Sequence, residues 1–221
     1  MSERLTVVQH HPAEGVGEIG VWAMRNGIAL GIYRADLGDL PNHDVGHCVL
    51  LGGPYGVNAP PDWLQTEKNW LRARIEHQTP VLGICLGSQL LAEALAGRVH
   101  GLDRPETGWT RIDFGDGGQL DALQWHEDAF TLPPGAESLA RSTGCPQQMF
   151  RFGTHIGIQF HPEWNADLVA ELNAHFGDAS PLPRNADVER HNAVTNWFHP
   201  ILDAWWNAGL TPPFQGGEEE H

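Results

Sequence analysis

A cysteine, a histidine and a glutamate in two short segments of this chain have the types and spacing needed for nucleophilic catalysis. Residues 83–89 (GICLGSQ) place Cys85 on a tight turn between an apolar run and a helical pattern. Residues 159–163 (QFHPE) supply His161 and, two positions later, Glu163. A thiol, an imidazole and a carboxylate are the parts of a Cys-His-Glu triad, in which a thiolate attacks a carbonyl. We therefore predict that Cys85, His161 and Glu163 are catalytic.

The turn around Cys85 has the features of a nucleophile elbow. Glycines on both sides let the chain turn sharply and keep other side chains away from the thiol. The positive end of the following helix favours the thiolate. The amide of Leu86 is placed to receive an oxyanion, and the Gly-Gly-Pro segment at residues 52–54 is the candidate for the second donor. Taken alone, Cys85 could equally be a small buried hydrophobe.

The second segment supplies the base and its orienting group. At the end of a strand, residues two apart point to the same side, so Glu163 can orient His161. His161 can then take the thiol proton and later give it to a leaving amine. A surface His-Pro-Glu turn is the alternative interpretation, but a cysteine elbow upstream in an α/β pattern favours catalysis.

The elements that must position these residues follow an α/β pattern of short apolar runs and longer helical periods. The predicted strands are residues 5–8, 28–33, 47–51, 80–84 and 155–160. The predicted helices are residues 16–25, 63–77, 86–96 (with Gly97 just past its end), 165–176 and 188–207. The run at 80–84 is apolar throughout and predicts a strand at the centre of the sheet. Residues 108–159 predict short strands, with a hairpin turn at 115–118.

The composition of the chain excludes several classes of function. The 221 residues are 41% apolar, which is enough for the core of one large domain, and the net charge of -15 argues against a nucleic-acid partner. The single lysine, Lys68, argues against a phosphate-binding loop and Schiff-base chemistry. No run approaches the roughly 20 apolar residues of a membrane span. We expect a cytoplasmic protein with no membrane partner.

The cysteines and histidines predict neither a disulfide framework nor a metal site. Three cysteines without paired spacing are typical of a reducing compartment, and we expect Cys48 to be buried and inert and Cys145 to be structural or exposed. Four histidines have the type of a metal ligand but lack neighbouring cysteines or carboxylates in a known spacing. They are His10, His11, His43 and His47. We predict no metal and no cofactor.

The quoted segments resemble those of the class I (triad-type) glutamine amidotransferases. GICLGSQ is similar to their elbow, QFHPE to their histidine segment and GGP to their oxyanion loop. Residues 106–109 (ETGW), 125–128 (WHED) and 132–136 (LPPGA) resemble a free-standing, GMP-synthase-like subgroup. The resemblance spans residues 5–176 and implies a doubly wound, mostly parallel sheet with flanking helices, similar to flavodoxin. We assign residues 1–176 to the catalytic domain and residues 177–221 to a connector, helix and acidic tail on the same domain.

The resemblance also implies a reaction. Cys85 would attack the γ-carboxamide of glutamine, release ammonia and form a γ-glutamyl thioester, which water activated by His161 would hydrolyse to glutamate. The backbone amides of Gly53 and Leu86 would hold the oxyanion. The residues implied to contact glutamine are Gly52, Gln89, Trp125 and His126, the last two in a loop. The ammonia would pass to a synthetase or other acceptor enzyme acting in trans.

Several alternatives stay open. Glu127 stands where the subgroup often has glycine, and Gln124 where it often has histidine, so the substrate is open. A γ-glutamyl amide or peptide hydrolase would use the same triad. Further alternatives are a redox-sensing cysteine and a non-catalytic binding or regulatory subunit, although neither role needs a matched base and orienter. The aromatic stripe at residues 197–206 predicts a packed terminal helix, or alternatively a homodimer surface.

Overall fold

The computed structural model describes residues 4–42 and 45–208, which contain nine strands and five α-helices. The strands are β1 (Arg4–Gln9), β2 (Ala29–Arg34), β3 (His47–Leu50), β4 (Val81–Ile84), β5 (Val99–Phe114), β6 (Gln119–Phe130), β7 (Glu137–Arg141), β8 (Met149–Phe152) and β9 (His155–Ile158). The helices are α1 (Gly17–Arg25), α2 (Asp62–Glu76), α3 (Leu86–Ala94), α4 (Ala166–Phe176) and α5 (Val188–Ala208). His43 and the acidic tail at residues 216–221 lie outside the described residues.

All nine strands form one sheet in the order β2-β1-β3-β4-β9-β8-β7-β5-β6. The first five strands of that order are parallel to one another, and the remaining four continue the sheet with antiparallel pairings. Strands β4 and β9 are neighbours, so the residues that follow each of them meet at the same edge of the sheet. The predicted fold class is confirmed, with the difference that the antiparallel extension makes the sheet mixed.

Successive residues of the parallel strands pack into two different cores. Val7 and Val49 belong to a core that includes α1 and α5, whereas Val8 and Leu50 belong to a core that includes α2 and α3. Because neighbouring residues of a strand point to opposite faces, helices cover both faces of the sheet. All four residues of β4 are buried, as expected for a strand with both faces covered.

Helix α5 places its apolar side chains in the first of these cores. Phe198, Ile201, Leu202 and Trp205 are at most 1% exposed. None of the described helices is both long and apolar enough to cross a membrane.

The predicted middle region differs from the structure in length and in one assignment. The hairpin turn at residues 115–118 is present, but β5 begins at Val99, well before the predicted start of the short strands at residue 108. Trp125 and His126 lie within β6 rather than in a loop. At the end of α3 the residue with positive φ is Ala96 (φ 68°), so the prediction that Gly97 occupies this position was off by one residue.

Candidate active site

The turn at Cys85 is a strained elbow between β4 and α3. Cys85 has φ 49° and ψ -110°, in the left-handed half of backbone space that side chains other than glycine rarely adopt. Such a conformation costs on the order of 1–3 kcal/mol and persists only where the surrounding structure imposes it. A Cβ built on Gly87 would lie 2.2 Å from the carbonyl oxygen of Leu50, and one built on Gly83 would lie 2.4 Å from the carbonyl oxygen of Gly87. Both glycines are therefore required by close backbone contacts.

Two backbone amides beside Cys85 are available to a ligand. Leu86 is the first residue of α3, and the amides of Leu86 and Gly53 have no hydrogen-bond acceptor among the described residues. Both residues line the same cavity as Cys85. The elbow is tied to the sheet by hydrogen bonds from the Cys85 amide to Ile158 (2.8 Å) and from the Gly87 amide to Leu51 (3.1 Å).

His161 follows β9 and lies between its two predicted partners. Its Nδ1 donates to Glu163 Oε1 at 2.8 Å, and both side chains are buried. One face of the imidazole is covered by Trp164, whose ring is stacked at 3.5 Å and 12°. The His161 amide donates to Leu123 at 2.9 Å, and the Glu163 carbonyl accepts from the Glu18 amide at 2.8 Å, at the start of α1. The segment is thus fixed by β6 on one side and by α1 on the other.

The electrostatics of His161 favour its protonated form. Burial opposes a charge there, but the carboxylate of Glu163 and the charge and hydrogen bonding of Cys85 outweigh it and raise the pKa of His161 well above its usual value. This is the environment expected for a thiolate and imidazolium that stabilise each other.

A buried carboxyl group that the sequence reasoning missed lies beside this triad. Glu14, in the segment between β1 and α1, is 6% exposed and lines the cavity with Cys85 and His161. Burial raises the pKa of Glu14, although the charge of His161 partly opposes this. No spacing rule in the sequence links residue 14 to residue 161, so no sequence signal was available to find it.

A second buried pair holds the glycine-rich loop. His10 Nε2 contacts Glu67 Oε1 at 2.8 Å, while His10 Nδ1 donates to the carbonyl oxygen of Gly52 at 3.1 Å. The side chains of His10 and Glu67 are 0% exposed. Because the C=O and N–H of one peptide unit point in opposite directions, fixing the carbonyl of Gly52 also fixes the direction of the Gly53 amide. His10 therefore orients one of the two predicted oxyanion donors.

The side chains predicted to contact the substrate lie in the same cavity, but two of them are bound to protein groups. Gln89 Nε2 donates to the Asp128 carbonyl (3.1 Å) and to Gln159 Oε1 (3.2 Å). His126 Nδ1 donates to the Asp128 carbonyl at 2.8 Å, and its Nε2 lies 3.2 Å from Glu106 Oε2. These contacts fix the wall formed by β6. Trp125 is half-buried and packs edge-on against Phe176 with ring centroids 5.1 Å apart.

Glu106 is the centre of a buried network behind this wall. It accepts hydrogen bonds from Ser142 Oγ (2.6 Å) and Gln148 Nε2 (2.6 Å) in addition to its contact with His126. Burial favours the neutral acid, but the hydrogen bonds from His126 and Ser142 lower the pKa of Glu106 below its usual value. The ETGW segment thus contributes a support for His126 rather than a lining residue.

The cavity above Cys85 has a volume of about 320 Å³, at the lower end of the range for small-molecule sites. Its acidic lining residues are Glu14, Glu127 and Asp128, and no lysine or arginine lines it. Glu127 is exposed and Asp128 is half-buried. Glu127, which stands where the GMP-synthase-like subgroup often has glycine, therefore adds a charge at the mouth of the cavity. Gln124, the other departure, is fully buried, and its side chain has no hydrogen-bond partner among the described residues.

The remaining cysteines lie away from this cavity. Burial raises the pKa of the Cys48 thiol well above its usual range, and it raises the pKa of Cys145 to about 11. Cys145 is fully buried, so of the two predictions for it, structural or exposed, the second is wrong. Neither thiol has the environment of a nucleophile.

One group of three ligand-type side chains occurs within the described part of the chain. It consists of Glu14, His161 and Glu163, whose ligand atoms lie within 4.8 Å of one another. Because Nδ1 of His161 donates to Glu163, that nitrogen has no free lone pair for a metal ion. This geometry suits a hydrogen-bonded catalytic pair better than a metal centre.

Comparison with known proteins gives a consistent assignment. The family model "Glutamine amidotransferase class-I" matches residues 23–168. The glutamine amidotransferase-like protein YfeJ of Salmonella typhimurium is 29% identical over 192 residues, covering 78% of this chain and 80% of that protein. The glutamine-hydrolysing GMP synthase of Thermomicrobium roseum is 35% identical over 145 residues, covering 59% of this chain and 26% of that protein. The match thus spans about a quarter of that GMP synthase.

Solved structures share the whole architecture. A glutamine amidotransferase from Methylobacillus flagellatus has a TM-score of 0.83 at 27% identity and covers 100% of both chains. A glutamine amidotransferase from Thermotoga maritima has a TM-score of 0.86 at 23% identity, covering 94% of this chain and 100% of that one, and supports the fold.

Proposed function

The chain belongs to the class-I glutamine amidotransferase family, and we propose that it hydrolyses the side-chain amide of glutamine through Cys85. The observation that carries the proposal is the 2.8 Å contact between His161 Nδ1 and Glu163 Oε1, next to a cysteine at a strained elbow. A buried, oriented and protonated imidazole beside a thiol is the arrangement that activates a cysteine nucleophile.

The proposed reaction begins with attack of the Cys85 thiolate on the γ-carbonyl carbon of glutamine. The amides of Gly53 and Leu86 stabilise the oxyanion of the tetrahedral intermediate, because neither amide has an acceptor of its own among the described residues. His161 gives its Nε2 proton to the amide nitrogen, the C–N bond breaks, and ammonia leaves a γ-glutamyl thioester.

Hydrolysis of the thioester completes the cycle. Neutral His161 takes a proton from a water molecule, and the resulting hydroxide attacks the thioester carbonyl. Glutamate leaves, and the thiolate–imidazolium pair of Cys85 and His161 is restored. Glu163 holds the imidazole in one orientation through both halves of the reaction.

We further propose that the ammonia is used by a separate synthetase. Among the relatives of this chain is a protein of Saccharolobus solfataricus named as one subunit of a glutamine-hydrolysing GMP synthase. It is 35% identical over 128 residues, covering 52% of this chain and 66% of that protein. Because that relative is a subunit rather than a whole synthase, it supports an acceptor enzyme in trans for this chain.

A second candidate is hydrolysis of γ-glutamyl amides with larger amines. It is favoured by the cavity, where the aromatic rings of Tyr55, Trp125 and Phe176 lie together with the carboxyl groups of Glu127 and Asp128. Aromatic faces and carboxylates bind organic cations, so an amine with an additional positive charge would be attracted there. The chemical steps at Cys85 would be unchanged.

The test is release of ammonia and glutamate by the purified chain from glutamine and from γ-glutamyl amides of diamines. Cys85→Ala should abolish turnover, whereas Cys48→Ala, which removes a buried thiol distant from the cavity, should retain it. Labelling by the glutamine analogue 6-diazo-5-oxo-L-norleucine should modify Cys85 alone, and glutamine should slow it. An unlabelled Cys85 together with no turnover would refute the proposed function, whereas labelling without turnover would indicate control by a partner.

A further inference from the structure

The carboxyl group of Glu14 lies at the reacting centre without an assigned role. It is only 6% exposed, and it lines the same cavity as Cys85. Its Oε2 has no hydrogen-bond partner among the described residues. A carboxylate oxygen of Glu14 lies within 4.8 Å of a ring nitrogen of His161. Glu14 is thus a fourth ionisable group in contact range of the proposed chemistry.

Two hydrogen bonds fix the backbone of Glu14. The Glu14 amide donates to the His11 carbonyl at 3.0 Å, which closes a turn, and the Glu14 carbonyl accepts from Gln9 Nε2 at 2.9 Å. A buried carboxylate oxygen without a partner is costly, and its retention needs a reason. The neighbouring imidazole of His161 donates its Nδ1 proton to Glu163, and the indole N–H of Trp164, the other donor beside Glu14, lies outside hydrogen-bond geometry.

The position of Glu14 relative to the other reacting groups indicates which part of a substrate it would meet. A Cβ atom built on Gly52 would lie 2.9 Å from His161 Cε1, 3.3 Å from Glu14 Oε2 and 3.6 Å from Cys85 Cβ. The leaving amine must lie beside His161, since that imidazole gives it a proton. A nitrogen atom hydrogen-bonded to His161 is therefore within reach of Glu14 as well.

We propose that Glu14 is a catalytic residue that binds the N–H groups of the departing amine and makes the site selective for amides over esters. This inference rests on the proposed function. When His161 transfers its Nε2 proton, positive charge develops on the nitrogen of the tetrahedral intermediate, and this charge is lost again as the C–N bond breaks. The Glu14 carboxylate accepts a hydrogen bond from that nitrogen and stabilises the charge. The electron pair of the broken bond stays on nitrogen, and neutral ammonia leaves.

The contribution of Glu14 should therefore depend on the leaving group. An ester oxygen that takes the same proton from His161 carries no N–H for Glu14 to bind. A charge-assisted hydrogen bond of this kind corresponds to about a 10- to 100-fold difference in rate. The effect of removing the Glu14 charge should appear with glutamine and be absent with its γ-methyl ester.

The experiment compares Glu14→Gln with the unmodified chain on L-glutamine and on L-glutamate γ-methyl ester, by measuring glutamate release. Glu14→Gln should lower kcat/KM for glutamine about 10- to 100-fold and leave the ester rate within about twofold. The ratio of the two rates on one sample does not depend on how much of it is folded. Glu14→Asp should recover part of the glutamine rate. Glu171→Gln, an exposed change on α4, should alter neither rate.

Other outcomes would overturn the proposal. An equal loss with both substrates would mean that Glu14 acts through His161, and an unchanged glutamine rate would mean that it has no catalytic role. Loss of glutamine turnover by the unmodified chain in EDTA would assign Glu14 to a metal ion instead. A chain that hydrolyses neither substrate and whose Cys85 is not labelled by the glutamine analogue would refute the proposed function, and this proposal with it.

Discussion

Replacing His10 with alanine should both destabilise the protein and slow its chemistry, because His10 joins two buried groups. One of its ring nitrogens contacts Glu67 at 2.8 Å, and the other donates to the Gly52 carbonyl at 3.1 Å. His10→Ala leaves the Glu67 carboxyl buried and unpaired, and it leaves the Gly52 carbonyl without its donor. The other oxygen of Glu67 already has no hydrogen-bond partner among the described residues.

The expected magnitude follows from the burial of both side chains, which are 0% exposed. Removing one member of a buried ion pair costs about 3–5 kcal/mol. For a domain of this size such a loss lowers Tm by about 6–20 °C. If the Gly53 amide also loses its orientation, kcat should fall by up to about 10²–10³-fold, the cost of one oxyanion donor.

The stability difference should also depend on pH. Burial opposes protonation of His10, but the Glu67 carboxylate outweighs it and raises the pKa of His10 above the usual value of 6.5. A group with a raised folded-state pKa contributes its full stability below its unfolded pKa and loses it as pH rises through the folded value. The difference in the free energy of unfolding between the unmodified chain and His10→Ala should therefore be largest below about pH 6.5 and should become smaller at higher pH.

The assay is urea denaturation of His10→Ala, Glu67→Gln and the double variant, with His77→Ala as an exposed histidine control. The two single changes should be non-additive by about 1–3 kcal/mol, because each removes the same contact. The control should stay within about 0.5 kcal/mol of the unmodified chain. Additive effects, or a cost for His10→Ala no larger than that of the control, would refute the reasoning.

Three further predictions concern the elbow, the core and the support of β6. Gly87→Ala should prevent normal folding, because its Cβ would lie 2.2 Å from a backbone oxygen of β3. The control is Gly46→Ala, whose Cβ would have no atom of the described residues within 4 Å, and a wild-type Tm for Gly87→Ala would contradict this prediction. Phe198→Ala should lower the free energy of unfolding by about 3–5 kcal/mol in urea titrations, and a cost below about 1 kcal/mol would contradict the packing of α5. Glu106→Gln should destabilise the protein at pH values above 4.5, the usual pKa of the carboxyl group. The loss in the free energy of unfolding should shrink as the pH falls through the lowered pKa that Glu106 has in the folded protein. A loss that does not change with pH would exclude the charged contact with His126.

The parallel half of the fold and the elbow were accessible from sequence because their signals are local. The apolar runs that form β3 and β4 are short and bounded by turn residues, and the glycines beside Cys85 mark a turn whatever the rest of the chain does. The pairing of β4 with β9 joins strands that are distant in the chain, so no local pattern predicts it. The roles assigned to Cys85, His161 and Glu163 stay predictions.

The groups that sequence reasoning missed are held by contacts between distant positions. His10 meets Glu67, and Glu14 meets His161, without any periodic pattern that links the members of either pair. The long strand β5 is predicted as a shorter piece because glycine and proline interrupt its pattern, and its register indeed shifts between Gly101 and Glu106. Tertiary pairing there overrides the local preference for turns.

The place of β9 in the sheet also has a consequence for synthesis of the chain on the ribosome. Strand β9 pairs with both β4 and β8, although all of β5 to β8 precede it in the chain. A nascent chain therefore carries Cys85 long before it carries His161, and its β4 has an open edge until β9 arrives. The thiol lacks His161 during that interval, so an incomplete polypeptide does not release ammonia by the proposed reaction. The proposed hydrolysis of glutamine can therefore begin only after β9 has been synthesised and has paired with β4.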